Sequence, residues 1–191
     1  MTSTTPMPPH LDAFIRHEHG RIETAWHESG HAVAGVLNGG VLTASTVTDG
    51  PVRGGMAGLP SGLTTFASLP STRHAPVAYA GVWTQAWARA GHSRPGRREL
   101  FAVLESTGCK DREVLTAAGG PDAGESVVPL LETCWAAVTT LAAKLLRTGK
   151  INEADVLAAL NLSSDPATRT LELSMIRSGA TPGSFAVTRP A

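Results

Sequence analysis

Two histidines and a glutamate lie close together in the segment His27-Glu28-Ser29-Gly30-His31. Side chains four residues apart on an α-helix project from the same face, about one turn apart, so both imidazoles can reach one metal ion. Imidazole nitrogens in this arrangement are typical zinc ligands. A carboxylate at Glu28 can take a proton from a metal-activated water and pass it to a leaving amine. The segment therefore predicts a hydrolytic zinc site, with His27 and His31 as ligands and Glu28 as general base.

The alternative interpretation of this segment is a solvated helix face that carries histidine and glutamate by chance. Three features of the context favour the metal site. The segment lies in a predicted helix, an apolar face is opposite the two histidines, and the intervening Ser29 and Gly30 are small. Small residues leave room for a metal ion and a substrate above the helix.

A catalytic zinc site usually has three protein ligands and one open position. Two histidines therefore require a third ligand from further along the chain. The acidic candidates are Glu105, Asp111, Glu113, Asp122 and Glu125. Residue types and spacing alone leave the choice among them open.

The helix that must position the histidines is predicted from about Leu11 to Leu37. Its apolar residues recur at helical spacing, Gly20 is a candidate break, and Asn38-Gly39-Gly40 provides the stop. Residues 1–10, with three prolines, are predicted to form a flexible leader.

A small β hairpin is predicted after this helix. Residues 41–48 are β-branched and alternate in polarity, Asp49-Gly50 is typical of a turn, and residues 54–59 return as a glycine-weakened strand. An extended peptide substrate is expected to add a strand at the edge near Val41–Val47.

The remaining elements are predicted to be helical, so the expected fold is mainly α with a small β hairpin or sheet. Predicted helices cover residues 76–90, 100–104, 111–118, 127–147 and 153–160. Asn152 and Asp155 form a predicted capping box for the last of them. Residues 11–162 are then one domain, and residues 163–191 are predicted to be a polar tail, partly disordered, without a regular period.

Beyond these patterns, the sequence resembles the FtsH family of ATP-dependent zinc metalloproteases. Residues 24–33, TAWHESGHAV, are similar to the family's AxHEAGHA signature, and residues 41–58 resemble the β segment that follows it. Residues 79–86 lie where the family has its GGRAAEE helix, and residues 106–111, STGCKD, resemble its STGASND segment. The resemblance covers about residues 20–160 and implies an FtsH-type zinc metallopeptidase fold.

The resemblance implies that Asp111 is the third zinc ligand, because it matches the aspartate of the STGASND segment. Two departures occur there: one residue is missing between Gly108 and the aspartate, and Lys110 replaces an asparagine. A third is Gln85, which stands where the family often has glutamate. Without a metal, Asp111 is an ordinary acid near a helix N-terminus, favourable to the helix dipole.

The sequence lacks the phosphate-binding loop G-x-x-x-x-G-K-[ST] and any apolar run long enough to span a membrane. We therefore expect a peptidase domain without the family's ATPase, acting on peptides or unfolded proteins, with or without a separate unfoldase partner. The chain carries 16 basic and 16 acidic residues, which favours neither nucleic acid nor membrane as a partner. A cytoplasmic location is the expectation, and the oligomeric state is left open.

Two other functions stay open at this point. The chain can be a catalytically silent metallopeptidase-like module with a regulatory or interaction role, although Glu28 argues against that because a structural site needs no general base. It can also be another HExxH processing protease with a narrow target. The two cysteines lack metal-ligand spacing, and both Cys109 and Cys134 are expected to be at least partly buried free thiols.

Overall fold

The computed structural model describes residues 8–53, 56–91 and 93–184, with the backbone alone for residues 51–53, 56 and 57. The protein is mainly helical with a small antiparallel sheet, as predicted from the sequence patterns. The helices are α1 (Pro9–Leu37), α2 (His74–Arg89), α3 (Arg97–Glu105), α4 (Cys109–Ala117), α5 (Val128–Thr133), α6 (Trp135–Thr148), α7 (Glu153–Ala159) and α8 (Pro166–Arg177). The strands are β1 (Val41–Arg53), β2 (Met56–Ser68) and β3 (Lys150–Ile151), and single 3-10 turns form at Ser71–Arg73 and Glu125–Val127.

Helix α1 is the central element and continues through Gly20 without the predicted break. Proline at its first position suits a helix start, since that residue needs no N–H partner. Asn38 ends the helix and returns its side-chain amide to the carbonyl of Ala34 at 2.8 Å. The first half of α1 lies at the surface, whereas nearly every residue from Ala25 to Leu37 is buried. The segment His27–His31 therefore lies in the half that belongs to the core.

The sheet has the order β2-β1-β3, with both pairs antiparallel. The turn predicted at Asp49-Gly50 is wrong, because β1 continues to Arg53 and Gly50 pairs with Gly58 across a shift in register. A side chain at Gly50 would press on the Leu59 carbonyl at 2.6 Å, so the glycine serves close strand pairing and not a turn. Of the predicted return strand, Met56 onward lies in β2, and residues 54 and 55 lie outside the described residues.

Strand β1 is the middle strand, which corrects the predicted substrate-docking edge. Its residues Ser45 and Thr46 pair with Ile151 and Lys150 of β3, while the other side of β1 pairs with β2. The predicted docking edge is therefore occupied at residues 45–47, where the Val47 N–H also donates to the Gly149 carbonyl at 2.9 Å, whereas β3 does not reach residues 41–44. The outer strand beside α1 is β2.

The single helix predicted over residues 127–147 is instead two helices, α5 and α6, which meet at Cys134 with a bend of 86°. The bend lets both helices bury apolar residues against α1, and it stacks Trp135 on Trp26 with ring centroids 5.1 Å apart. The periodicity of the sequence could not predict this bend, because the bend depends on contacts with α1. Trp83 and Trp87 of α2 pack with Trp26 and Trp135 in one aromatic cluster.

Among the described residues, no helix taken singly has the length and apolar content to cross a membrane. One bent pair has this length and apolar content when its two parts are counted together: α5 with its preceding 3-10 turn, and α6.

The chain beyond α6 contains one confirmed and one corrected prediction. The capping box of α7 is present, with the Asp155 N–H donating to Asn152 at 3.2 Å and the Asn152 N–H donating to Asp155 at 3.1 Å. Residues 166–177, predicted as irregular tail, form α8, which begins at the Asp165 cap and buries Ile176. The apolar residues of this segment are too few to predict a helix, and contacts with the rest of the protein stabilise α8.

Candidate metal centre and cleft

The two histidines of α1 face α2, and each is oriented by a hydrogen bond from its Nδ1 atom. His31 donates to the Val77 carbonyl at 2.8 Å, and His27 donates to Oε1 of Gln85 at 2.9 Å. The Nε2 atoms, left free for other partners, converge to 2.9 Å. A histidine whose Nδ1 donates in this way directs Nε2 away from that bond, and Nε2 is then the atom that can bind a metal.

Two glycines allow α1 and α2 to approach closely enough for these bonds. A Cβ atom added at Gly81 of α2 would overlap the His31 ring, and it would lie 2.9 Å from Nε2 of His27. A Cβ atom at Gly30 of α1 would overlap Oγ1 of Thr84 and lie 2.6 Å from the Ala80 carbonyl. The small residues at these positions therefore determine the geometry of the histidine pair.

The structure brings Asp111, and none of the other acidic candidates, to the histidines. Asp111 lies in the first turn of α4, and its Oδ2 and Oδ1 atoms are 2.9 Å from Nε2 of His27 and 3.4 Å from Nε2 of His31. Glu105 and Glu113 are exposed, Asp122 pairs with Arg97 at 2.6 Å, and Glu125 lines a separate cavity beside Tyr79.

Charge and burial couple these three side chains. Burial alone would lower the pKa of His31, but the charge and hydrogen bond of Asp111, with smaller effects of Glu28 and the Val77 carbonyl, raise that pKa to about 9. Burial would likewise raise the pKa of Asp111, yet the charge of His31 and hydrogen bonds from both histidines hold it well below its usual range. The site therefore favours positive charge between the two rings.

The donor set fits a metal ion. Ligand atoms of His27, Glu28 and His31 all lie within 4.8 Å of one another, so this group can hold a cation. Tetrahedral zinc with bonds of 2.0–2.1 Å places its ligand atoms roughly 3.3 Å apart. The three Nε2 and Oδ separations described above, 2.9, 2.9 and 3.4 Å, are close to that spacing.

The Glu28 carboxylate lies between the two rings and strand β2. Thr64 donates its hydroxyl hydrogen to Oε2 of Glu28 at 2.5 Å, and a Cβ atom at Gly62 would overlap the same carboxylate. Glu28 is 5 % exposed, and this hydroxyl is a hydrogen-bond partner of its carboxylate. Thr64 and Gly62 were not predicted as site residues, and no sequence signal marks them, since sheet packing alone brings them to Glu28.

Gln85 lies behind His27 and has its amide orientation fixed on both sides. Its Oε1 accepts from His27 and from the Thr107 hydroxyl at 2.9 Å, while its Nε2 donates to Glu23 at 3.0 Å. Arg89 in turn donates to the same Glu23 oxygen at 2.8 and 2.6 Å. The sequence analysis did not assign this chain of contacts, although Glu23 and His27 are four residues apart on one face of α1.

These side chains open into one cleft of about 410 Å³. Residues 60–64 of β2 form one side of its mouth, and residues 107 and 109–111 form the other. Cys109, expected to be at least partly buried, is exposed at this mouth because it occupies the first position of α4, whereas Cys134 is buried as expected. The cleft is large enough for part of an extended peptide or a small ligand.

Comparison of the chain with protein-family models, with curated proteins and with solved structures finds no match.

Proposed function

We propose that this protein is a zinc-dependent endopeptidase with an FtsH-type peptidase fold. One observation carries the proposal: the Nε2 atoms of His27 and His31 and the carboxylate of Asp111 converge within 3.4 Å, beside a buried carboxylate in the same cleft. The assignment of zinc rests on that donor set, since two imidazoles and one carboxylate are typical of catalytic zinc. The resemblance of residues 24–33 and 106–111 to the family's motifs supports the same activity.

The residues divide the chemistry of peptide hydrolysis among them. Zinc, when bound, lowers the pKa of water and polarises a carbonyl. His27, His31 and Asp111 hold the ion, and the partners of both Nδ1 atoms keep the rings in the required tautomer. Glu28 accepts the proton of the attacking water and returns it to the leaving amine. Thr64 orients the Glu28 carboxylate for that transfer by donating its hydroxyl hydrogen to Oε2.

The substrate that suits this cleft is an extended peptide. Strand β2 is the outer strand of the sheet, and its residues 60–64 line the mouth beside Glu28. A peptide that pairs with β2 would pass the metal site with its backbone held by strand hydrogen bonds. This geometry favours flexible or unfolded segments, supplied directly or by a separate unfoldase partner.

The test combines bound zinc with cleavage of unfolded casein in matched variants. Glu28→Gln is expected to retain zinc and lose hydrolysis at least hundredfold, since general base catalysis contributes about 10²–10⁴. Asp111→Asn is expected to weaken zinc binding by more than about a hundredfold, the larger end of what even indirect partners contribute. Glu113→Gln, an exposed acid on the same helix, serves as the control and should retain both properties.

Three results would contradict the proposal or part of it. A wild-type protein that binds no zinc removes the metal assignment. Zinc bound without hydrolysis in the wild type favours a silent metallopeptidase-like module. Zinc binding unchanged in Asp111→Asn moves the third ligand elsewhere.

A further inference from the structure

A second cavity, of about 620 Å³, lies where α8 meets the end of α1, the start of α2 and helix α5. None of its lining residues belongs to the metal cleft. The residues that carry the argument are Arg73, Arg177, Ser126, Pro76, Leu130 and Ile176. The proposed peptidase mechanism uses none of them.

The cavity has two arginines and, among the described residues that line it, no acidic side chain. Arg177 donates its Nε hydrogen to the Leu37 carbonyl at 2.5 Å, which fastens α8 to the end of α1. The side chain of Arg73 has neither a hydrogen bond nor an ion pair within residues 8–53, 56–91 and 93–184. Two guanidinium groups thus line one cavity with most of their N–H donors free of protein acceptors.

The two arginines are exposed to solvent and still close enough to affect each other. Burial and the neighbouring charge of Arg73 both lower the pKa of Arg177 from its usual value, so the two cations repel each other. Arg177 alone makes the contact with the Leu37 carbonyl, so this contact does not explain why Arg73 lines the same cavity. An oxyanion between the two would accept charge-assisted hydrogen bonds from both and remove the repulsion.

The rest of the lining defines what the anion is attached to. Pro76, Leu130 and Ile176 give the cavity an apolar side, and the exposed hydroxyl of Ser126 lies at its rim. Pro76 lies in the first turn of α2, so the positive end of that helix dipole also faces the cavity. A volume of about 620 Å³ is within the range of small-molecule sites and exceeds what a bare ion needs.

We propose that this cavity binds an amphipathic oxyanion, a carboxylate or phosphate group carried on a short apolar chain. The two arginines bind the oxyanion, and the apolar side contacts the chain. The site is independent of the proposed peptidase activity, because neither its residues nor its ligand involve the metal cleft.

The test is calorimetric titration of the full chain with four six-carbon probes: hexanoate, hexyl phosphate, hexylammonium and hexanol. The two anions should bind, whereas the cation and the alcohol should not. Arg73→Gln should weaken anion binding about tenfold or more, the value of one charge-assisted hydrogen bond. Ser126→Asp, which places a carboxylate at the rim, should weaken it as well. Arg98→Gln is the control, because Arg98 is an exposed arginine of α3 outside this cavity.

Arg177→Ala is a poor test, since it also releases α8 from Leu37, and the two variants above keep that contact. Anion binding that is equal in wild type and Arg73→Gln would overturn the proposal, as would absence of anion binding in the wild type. Inorganic phosphate that binds as tightly as hexyl phosphate would overturn the amphipathic part. Binding of both six-carbon anions that depends on Arg73 and not on Arg98 supports it.

Discussion

The metal cleft has two walls that are built in different ways. The helical wall, from α1 and α2, carries His27, His31 and Gln85 in the core, where neighbouring helices allow almost no change in shape. The outer wall, from β2 and the start of α4, carries Thr64 and Asp111 on elements that are largely exposed to solvent. The helical wall depends on steric fit, whereas the outer wall depends on single polar contacts.

This difference separates stability from chemistry. A change in the helical wall disturbs the packing of α1 against α2, so its first effect should be on the free energy of unfolding. A change in the outer wall removes one hydrogen bond or one ligand atom while the core persists, so its first effect should be on metal binding or turnover.

The largest effect on stability is expected for Gly30→Ala. The new Cβ atom would overlap Thr84 and lie 2.6 Å from the Ala80 carbonyl, a backbone atom that cannot move without shifting α2. We expect a loss of about 3 kcal/mol in the free energy of unfolding, the upper end of typical overpacking costs. Urea unfolding followed by circular dichroism measures it.

Gly20→Ala is the matched control for this prediction, since it makes the same substitution in the same helix. There the nearest atoms belong to the Pro60 ring at 3.3 Å, and alanine gains helix propensity. Its stability should change by less than about 1 kcal/mol. Equal losses in the two variants would show that the approach of α1 to α2 is not the tight contact of the site.

The helical wall is also the part that sequence predicts best. The spacing of His27 and His31 is local, so helix periodicity is enough to place both on one face, with Glu28 beside them. The contact of Thr64 with Glu28 joins residues 36 positions apart and depends on how the sheet packs on α1, which no local pattern encodes. Asp111 lies between these cases, because only the resemblance of residues 106–111 to a known motif selected it from five acids.

The errors in the fold have the same origin. Asp49-Gly50 has the composition of a turn, but pairing with β2 overrides that local preference and keeps the segment extended. The break at Cys134 and the formation of α8 follow from burial against other helices. Elements determined by their own sequence were predicted, and those determined by distant partners were not.

A smaller effect is expected where the helical wall uses a polar contact instead of steric fit. Gln85→Met removes the acceptor of the His27 Nδ1 hydrogen and should weaken zinc binding 10- to 100-fold, the usual value of such an indirect partner. The exchange Glu23→Gln with Gln85→Glu reverses the donor and acceptor between these two residues and keeps the acceptor for His27. The exchanged protein should bind zinc within about threefold of the wild type.

Competition with a chromophoric chelator measures zinc affinity in both proteins without reference to hydrolysis. If Gln85→Met binds zinc as tightly as the wild type, His27 needs no partner and the contact is only packing. If the protein with both Glu23→Gln and Gln85→Glu binds zinc as weakly as Gln85→Met, the neutral amide of Gln85 is itself required. The contacts through Glu23 and Arg89 then do not orient His27.

The smallest effect is expected for Thr64→Val in the outer wall. Valine keeps the shape and the strand preference of threonine but loses the hydroxyl that donates to Glu28. A hydrogen bond to a charged group contributes about 1.5 kcal/mol, so kcat should fall about tenfold. KM and zinc affinity should not change, because the metal ligands are not altered. Thr65→Val, at the adjacent position where the hydroxyl bonds to Ala44, should leave kcat unchanged. Equal kcat values for the two variants would show that the helical wall alone positions Glu28. The outer wall would then not contribute to the chemistry of Glu28.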